Sequence, residues 1–183
     1  LRESDWKSNQ ASLSADVATL GYPVFVKPAR GGSSRGTTKV KSAEQLVAAV
    51  EEAHRFDPKA MVENAVIGRE IECAVLEISG KPEASVVGQI EIDSKFEFYD
   101  FEAKYLSETT QMTCPANLDV QDTQELNALA IAAYEALGCS GTARVDVMRN
   151  SDGCFHLLEI NTLPGMTEHS LIPRAAAESG IDF

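Results

Sequence analysis

The chain has 183 residues, of which 44% are hydrophobic and 24% charged, and this suits one globular domain or two small lobes that share a cleft. Its net charge of −12 argues against nucleic-acid binding, because phosphate backbones require a basic surface, and no apolar run approaches the roughly 18 residues that a membrane span requires. The four cysteines form no Cys-x-x-Cys pair, so we expect reduced thiols in a cytoplasmic protein.

The order of apolar and turn-forming residues predicts an α+β protein. Helices are predicted at residues 14–20, 42–56, 122–137 and 171–179. The second helix should begin with a capping box of Ser42 and Gln45 and bury one apolar stripe, formed by Leu46, Val47, Val50 and Ala53. Strands are predicted at residues 24–26, 38–40, 60–63, 70–78, 83–87 and 89–92. Residues 94–119 are polar and without period, which predicts a long functional loop.

The strongest chemical motif lies near the end of the chain. Arg144 and Asp146 share one face of a predicted strand, and Glu159 and Asn161 share one face of the next, because side chains alternate along a strand. The polar run at residues 150–153 predicts a hairpin that makes the strands antiparallel neighbours. The oxygen ligands favour magnesium, usually shared with substrate phosphates. The alternative is a solvent-facing sheet surface with incidental salt bridges.

Two weaker motifs precede it. Lys27 ends a strand and opens a loop rich in glycine and serine at residues 28–36, whose backbone N–H groups can bind phosphate. The loop is not a Walker A sequence, and alone it is equally compatible with a flexible hairpin. Glu63 and Glu70 flank a short apolar link and could meet a purine and its ribose, although two surface acids beside a turn are the alternative.

In this order, the three motifs resemble the ATP-grasp enzymes, and within them the D-alanine-D-alanine ligases. The resemblance covers nearly the whole chain from about Gly21 and is most specific over residues 137–165. Residues 99–105 resemble the loop that closes over the nucleotide, and residues 165–171 resemble the segment that holds the second amino acid. It implies two α+β lobes with mostly antiparallel sheets enclosing a nucleotide cleft, residues 1–66 forming the first and 67–183 the second.

The resemblance also implies roles for individual residues. Lys27 and Lys104 would meet the phosphates of ATP, and Asp146, Glu159 and Asn161 would hold two magnesium ions, for which manganese is an acceptable substitute. The adenosine would be held by a further set, which comprises Glu63, Val66, Glu70 and Phe98.

For the substrates, Arg144 and the backbone N–H of Gly165 would stabilise oxyanions during the reaction. Ser33 and Tyr105 would join a hydrogen-bonded link that orients the first D-alanine. Two residues, Ser170 and Leu171, would bind the carboxylate of the second. His169 lies near this segment, whereas His156 is expected to be structural.

The implied reaction is phosphorylation of one D-alanine by ATP, followed by attack of a second D-alanine on the D-alanyl phosphate, which supplies D-Ala-D-Ala for peptidoglycan. Tyr105 favours D-alanine over D-lactate or D-serine as second substrate, and a non-catalytic nucleotide-binding module is the remaining alternative. The resemblance assigns part of the first substrate's site to an N-terminal domain, so we expect a longer whole protein and an inactive isolated chain. A homodimer is compatible with the sequence, which does not determine the oligomeric state.

Overall fold

The computed structural model describes residues 1–91, 98, 111–167 and 170–180. This part of the chain is α+β, with two separate antiparallel sheets, as predicted. It divides into two compact units. Unit 1 comprises residues 1–65 together with Phe98, and unit 2 comprises the other described residues.

Unit 1 is a three-stranded antiparallel sheet with two helices. Its strands are β1 (Val24–Pro28), β2 (Thr38–Val40) and β3 (Ala60–Asn64), in the order β2-β1-β3. The helices are α1 (Glu3–Ala18) and α2 (Ala43–His54), and α2 contacts all three strands. Alternate residues of β1 are buried under α2, so the residues between them lie on the opposite face of the sheet.

Unit 2 is a five-stranded antiparallel sheet in the order β6-β5-β4-β7-β8. The strands are β4 (Gly68–Ile78), β5 (Lys81–Glu91), β6 (Gln111–Thr113), β7 (Thr142–Asn150) and β8 (Phe155–Asn161). Two helices accompany them, namely α3 (Val120–Ala136) and α4 (Leu171–Glu178).

The two faces of the unit 2 sheet differ in chemistry. On one face, apolar side chains of β4 and β7 pack against α3 and form a fully buried core, which includes Ile71, Val75, Val145, Val147 and Leu126. The residues that alternate with them, among them Glu72 and Asp146, lie on the other face. The sheet therefore has one apolar face that stabilises the fold and one polar face with ionisable groups.

Most predicted elements are confirmed, but several boundaries are wrong. The first helix begins at Glu3 rather than at residue 14, because Trp6 is buried in the unit 1 core although its neighbours show no helical period. The two strands predicted at residues 83–87 and 89–92 form the single strand β5. Of the segment predicted as one long loop, residues 94–97 and 99–110 lie outside the described residues, and Gln111–Thr113 form the short strand β6.

The predicted capping box of α2 is wrong in its detail. Ser42 is the N-cap residue, but its side chain forms no capping hydrogen bond, and the carboxamide of Gln45 accepts from the backbone N–H of Lys41 instead. The buried stripe also differs from the prediction, since Ala49 is buried and Val47 is 36% exposed. The other three predicted core residues, Leu46, Val50 and Ala53, are buried as expected.

The helices that the structure describes include none that is both long and apolar enough to span a bilayer.

Candidate active site

The predicted hairpin of β7 and β8 is confirmed and brings the four polar residues together. Asp146 lies directly opposite Glu159, and Arg144 lies directly opposite Asn161. Residues opposite each other in an antiparallel pair share a face, so all four lie on the polar face of the unit 2 sheet. The hairpin turn is closed by Asn150, whose side-chain oxygen accepts from two backbone N–H groups of the turn.

Arg144 is the centre of this face. Its Nε and a terminal nitrogen each donate to one carboxylate oxygen of Asp146, both at 2.7 Å, which is the paired geometry that arginine and carboxylate prefer. Burial acts to lower the pKa of Arg144, but the hydrogen bonds and charge of Asp146, with the charges of Glu72 and Glu159, outweigh burial and raise the pKa. The guanidinium is therefore permanently charged.

Glu72 is the residue that the sequence prediction missed. It lies opposite Asp146 on the neighbouring strand β4, and its Oε1 is 3.2 Å from Nε of Arg144. Glu72 is 3% exposed, so one row across three strands carries three carboxylates, those of Glu72, Asp146 and Glu159. The alternation of Glu70 and Glu72 along β4 was a signal for a polar face, but no motif drew attention to it.

The polar face suits a divalent cation. Asp146 and Glu159 are like charges directly opposite each other, which destabilises a sheet; Arg144 compensates them here, and a bound cation would add to that compensation. Together with the carboxamide of Asn161 they provide only oxygen ligands, which suit magnesium. The residues that the structure describes contain no group of three or more His, Cys, Asp or Glu side chains arranged to hold a metal, so the predicted set rests on two acids and an amide.

The segment after β8 turns sharply toward α4. The side-chain oxygen of Asn161 accepts from the backbone N–H of Leu163, which fixes the start of this turn. The hydroxyl of Ser170 accepts from the backbone N–H of Thr167 at 3.1 Å, and a Cβ added at Gly165 would lie 3.1 Å from that hydroxyl. The predicted oxyanion and carboxylate contacts, Gly165 and Ser170, are thus neighbours.

Helix α4 packs on the polar side of the sheet, where a glycine on β5 leaves room for it. Gly88 lies opposite Glu72 on β5, and a Cβ at this position would clash with Cδ1 of Leu171, the first residue of α4. Arg174 adds a hydrogen bond of 3.0 Å to the backbone oxygen of Met112. The position of Leu171, which was predicted to bind substrate through its backbone, therefore depends on the absence of a side chain on β5.

Two further predicted residues of unit 2, Val66 and Glu70, lie before β4 and near its start, respectively. Val66 lies in the link between β3 and β4, and Glu70 lies on β4 opposite Ile90 and Met148. Beside Glu70, the guanidinium of Arg69 donates to the side chain of Gln89 and to the backbone oxygen of Asn117. These bonds fix the strand that carries Glu70.

The predicted nucleotide residues of unit 1 share the face of its sheet opposite α2. The ammonium of Lys27 lies 2.6 Å from the carboxylate of Glu63 across β1 and β3. Phe25 lies opposite Glu63 and makes an edge-on ring contact with Phe98, with 5.1 Å between centroids. Lys39, which the prediction did not include, places its ammonium 6.0 Å from the centre of the Phe25 ring. This face thus combines two cations, an acid and two aromatic rings.

The glycine-rich loop is held by the turn that follows α2. The guanidinium of Arg30 donates to both carboxylate oxygens of Asp57, at 2.7 and 3.1 Å. These hydrogen bonds, with one from the backbone N–H of Lys59, lower the pKa of Asp57 to about 2. Within the loop, Ser33 and Ser34 both have positive φ, 52° and 55°, a conformation that non-glycine residues seldom adopt. Such strain is typical of loops held in place for function.

Two predicted site residues, Lys104 and Tyr105, lie outside the described residues, as does His169. The structure brings together Lys27 and Glu63 in unit 1, with Phe98 beside the neighbouring Phe25. In unit 2 it brings together the set predicted on two strands, Arg144, Asp146, Glu159 and Asn161.

Solved structures of other proteins share this architecture. The VanG D-Ala:D-Ser ligase from Enterococcus faecalis superposes with a TM-score of 0.85 at 35% identity, over 100% of this chain and 51% of the other. The D-alanyl-alanine synthetase A from Vibrio cholerae superposes with a TM-score of 0.83 at 29% identity, over 96% and 53%. The fold and the polar site together define an α+β protein of the ATP-grasp class, as predicted.

Sequence comparison identifies the family. The family described as "D-ala D-ala ligase C-terminus" matches residues 1–183, and the chain belongs to it. A D-alanine--D-alanine ligase from Streptomyces griseus is 46% identical over 100% of this chain and 48% of its own length. Another from Haemophilus influenzae is 48% identical over 92% of this chain and 55% of its own length. The chain therefore spans about half the length of the curated relatives that it matches.

Proposed function

We propose that the whole protein is an ATP-dependent ligase that joins two D-alanines through a D-alanyl phosphate to form D-Ala-D-Ala for peptidoglycan. Family membership and the names of the relatives support this reaction. Because ATP is available in the cytoplasm, we place the enzyme there. The chain alone lacks the other half of its relatives' length, and we expect it to be inactive or nearly so. A homodimer stays a prediction that sedimentation of the whole protein would test.

The observation that carries the proposal is the partly buried guanidinium of Arg144, which is paired with Asp146 and lies beside Glu72. A guanidinium held at a fixed position can donate hydrogen bonds to negative charge that develops on a phosphorylated carboxylate. The backbone N–H of Gly165 would donate to the same charge. A pure nucleotide-binding module has little need of such a group, and this favours an enzyme over the non-catalytic alternative.

We propose Asp146, Glu159 and Asn161 as the ligands of magnesium. All three side chains offer oxygen ligands, and the two negative charges of Asp146 and Glu159 lie directly opposite each other. Both observations support this assignment. Magnesium, when bound, would neutralise phosphate charge. The chain's own contribution is to hold these ligands on two paired strands, so that their positions depend on the sheet rather than on a loop.

The nucleotide residues are proposed on the same basis. Lys27 would exchange its partner Glu63 for a phosphate oxygen, which frees Glu63 to accept from the adenine amino group. Phe98 and Val66 would contact the adenine ring, and Glu70 would accept from the ribose hydroxyls.

The substrates would be held by further residues. Lys104 and Tyr105 are proposed for the phosphates and for the first D-alanine, the latter together with Ser33. Ser170 and the backbone of Leu171 are proposed for the second D-alanine, next to Gly165. The closeness of Ser170 to Gly165 supports this part of the assignment.

The test is phosphate release by the whole protein with ATP and D-alanine. We expect turnover with D-alanine, and we expect Glu159→Gln to lower it by on the order of a hundredfold or more, because one magnesium ligand loses its charge. Glu135→Gln, the same change at an exposed position near the end of α3, should leave turnover unchanged. Wild-type turnover by Glu159→Gln, with the fold intact by circular dichroism, would refute the metal assignment.

A second candidate is a ligase that uses D-serine as second substrate. The similarity to the VanG D-Ala:D-Ser ligase favours its inclusion. The whole protein should be offered D-alanine with an equal concentration of D-serine or D-lactate, and the products separated by mass. We expect mainly D-Ala-D-Ala near neutral pH, and a predominance of D-Ala-D-Ser or of the D-lactate product would replace the first candidate.

A further inference from the structure

Glu72 is a buried acid on the polar face of the unit 2 sheet, at a position where the fold does not require a charge. It lies on the central strand β4 and is 3% exposed, where an apolar residue would avoid the cost of burying a charge. A buried carboxylate is retained at little cost only if it is paired with a positive charge. For Glu72 the positive charge is supplied by Arg144, whose Nε lies 3.2 Å from Oε1 of Glu72.

Arg144 has two carboxylate partners on different strands. Asp146 accepts from Nε and from a terminal nitrogen, both at 2.7 Å, and Glu72 approaches the same Nε from β4. The side chain of Arg144 is 19% exposed, so it is itself poorly hydrated and depends on these acids. The guanidinium of Arg144 therefore has Asp146 as its nearer acid and Glu72 as a second one.

The nearer acid has a competing role. Both oxygens of Asp146 face Arg144, yet under the proposed function Asp146 is a magnesium ligand. When Asp146 turns to a cation, its hydrogen bonds to Arg144 weaken, and a guanidinium that is only 19% exposed is destabilised when it loses its carboxylate partner. A second carboxylate at 3.2 Å can keep Arg144 both charged and in position.

We propose that Glu72 is a positioning residue that holds Arg144 in place when Asp146 turns to the metal. Glu72 thereby lowers the cost of releasing Asp146 and supports metal binding without being a ligand itself. This inference rests on the proposed function, because it requires that Asp146 binds a divalent cation. It assigns a role to a residue outside the predicted metal and catalytic set.

The test is binding of Mn²⁺ to the whole protein in the presence of ADP. Binding is measured from the loss of the electron paramagnetic resonance signal of free Mn²⁺. We expect Glu72→Gln to weaken Mn²⁺ binding on the order of tenfold, because Arg144 then competes more strongly for Asp146. Glu72→Asp keeps the charge on a shorter side chain and should bind Mn²⁺ between the two, which also serves if Glu72→Gln folds poorly. Glu77→Gln makes the same change on the same strand, away from Arg144, and should match the wild type.

A double substitution separates an effect through Arg144 from a direct effect on the metal. If Glu72 acts through Arg144, Glu72→Gln should have little further effect on Mn²⁺ binding in an Arg144→Ala background. The same tenfold weakening in that background would overturn the proposal, and so would unchanged Mn²⁺ binding by Glu72→Gln itself. If the wild-type protein binds no Mn²⁺ with ADP and releases no phosphate with D-alanine, it is the proposed function that fails.

Discussion

At the scale of single residues, the polar face of unit 2 is assembled by two kinds of neighbour: residues of one hairpin, Arg144, Asp146, Glu159 and Asn161, and a residue of a distant strand, Glu72. Arg144 and Asp146 are two apart, as are Glu159 and Asn161, and one short turn joins their strands, so the predicted neighbours follow from local rules. Glu72 could not be found in this way, because β4 is more than 60 residues away in the chain and only the sheet register brings it beside Asp146.

The ion pair of Arg30 and Asp57 predicts an acid-dependent loss of stability. The pKa of Asp57 is lowered from 3.8 to about 2 by its hydrogen bonds, so its charged form stabilises the folded state. A carboxyl group with a lowered pKa contributes stability that is complete above its unfolded pKa and is lost as the pH falls through the folded one. The window therefore lies between pH 3.8 and about 2.

We expect Asp57→Asn to lower the melting temperature of the whole protein at pH 7, and the difference from the wild type to shrink once the pH falls below about 4. Thermal unfolding followed by circular dichroism from pH 7 to the lowest pH that retains the fold would measure it. Asp152→Asn makes the same change at an exposed position in the β7–β8 turn and is the control. A melting difference for Asp57→Asn that stays constant down to pH 2.5 would contradict the assignment.

At the scale of elements, the strands were predicted better than their ends. The β7–β8 hairpin was predictable from its turn, whereas β5 was predicted as two strands because Gly88 interrupts its apolar pattern. The glycine is explained by tertiary packing, since the space above it is filled by Leu171 from α4, which follows more than 80 residues later. A local pattern cannot reveal a close approach of this kind.

Gly88→Ala should therefore displace the start of α4. The φ angle of Gly88 is outside the left-handed region, so alanine is compatible with the backbone and the strain comes from the contact with Cδ1 of Leu171. Overpacking of this kind costs about 1 to 3 kcal/mol. Because Ser170 and Leu171 are proposed to bind the second D-alanine, we expect its KM to rise while the KM for ATP is unchanged, as measured by phosphate release.

A compensating substitution provides the control for this prediction. Valine lacks the Cδ1 atom, so Leu171→Val should remove the contact and restore the KM for the second D-alanine in the Gly88→Ala background. The proposed contact of Leu171 with substrate is through its backbone, which this substitution preserves. Failure of the double variant to recover, with its melting temperature restored, would separate the packing of α4 from substrate binding.

At the scale of the whole molecule, each unit has its own hydrophobic core. In unit 1, Leu46 and Val50 of α2 pack on β1, and in unit 2, Leu126 and Ala130 of α3 pack on β4 and β7. The two amphipathic helices were predictable from their 3.6-residue period, and so was the α+β class. Assignment of residues 1–66 and 67–183 to two lobes stays a prediction from the family resemblance.

Separate cores predict that unit 1 and unit 2 can be destabilised one at a time. Leu46 is 1% exposed and Leu126 is fully buried, so truncation of either to alanine should cost about 2 to 5 kcal/mol in the unit that contains it. Hydrogen exchange of the whole protein, read by mass spectrometry of peptides, would measure the effect. We expect Leu46→Ala to speed exchange in β1 and β3 but not in β4 and β7, and Leu126→Ala to do the reverse, because protection reports the local unfolding energy. Equal acceleration in both sheets by either substitution would instead mean that the two cores unfold as one cooperative unit.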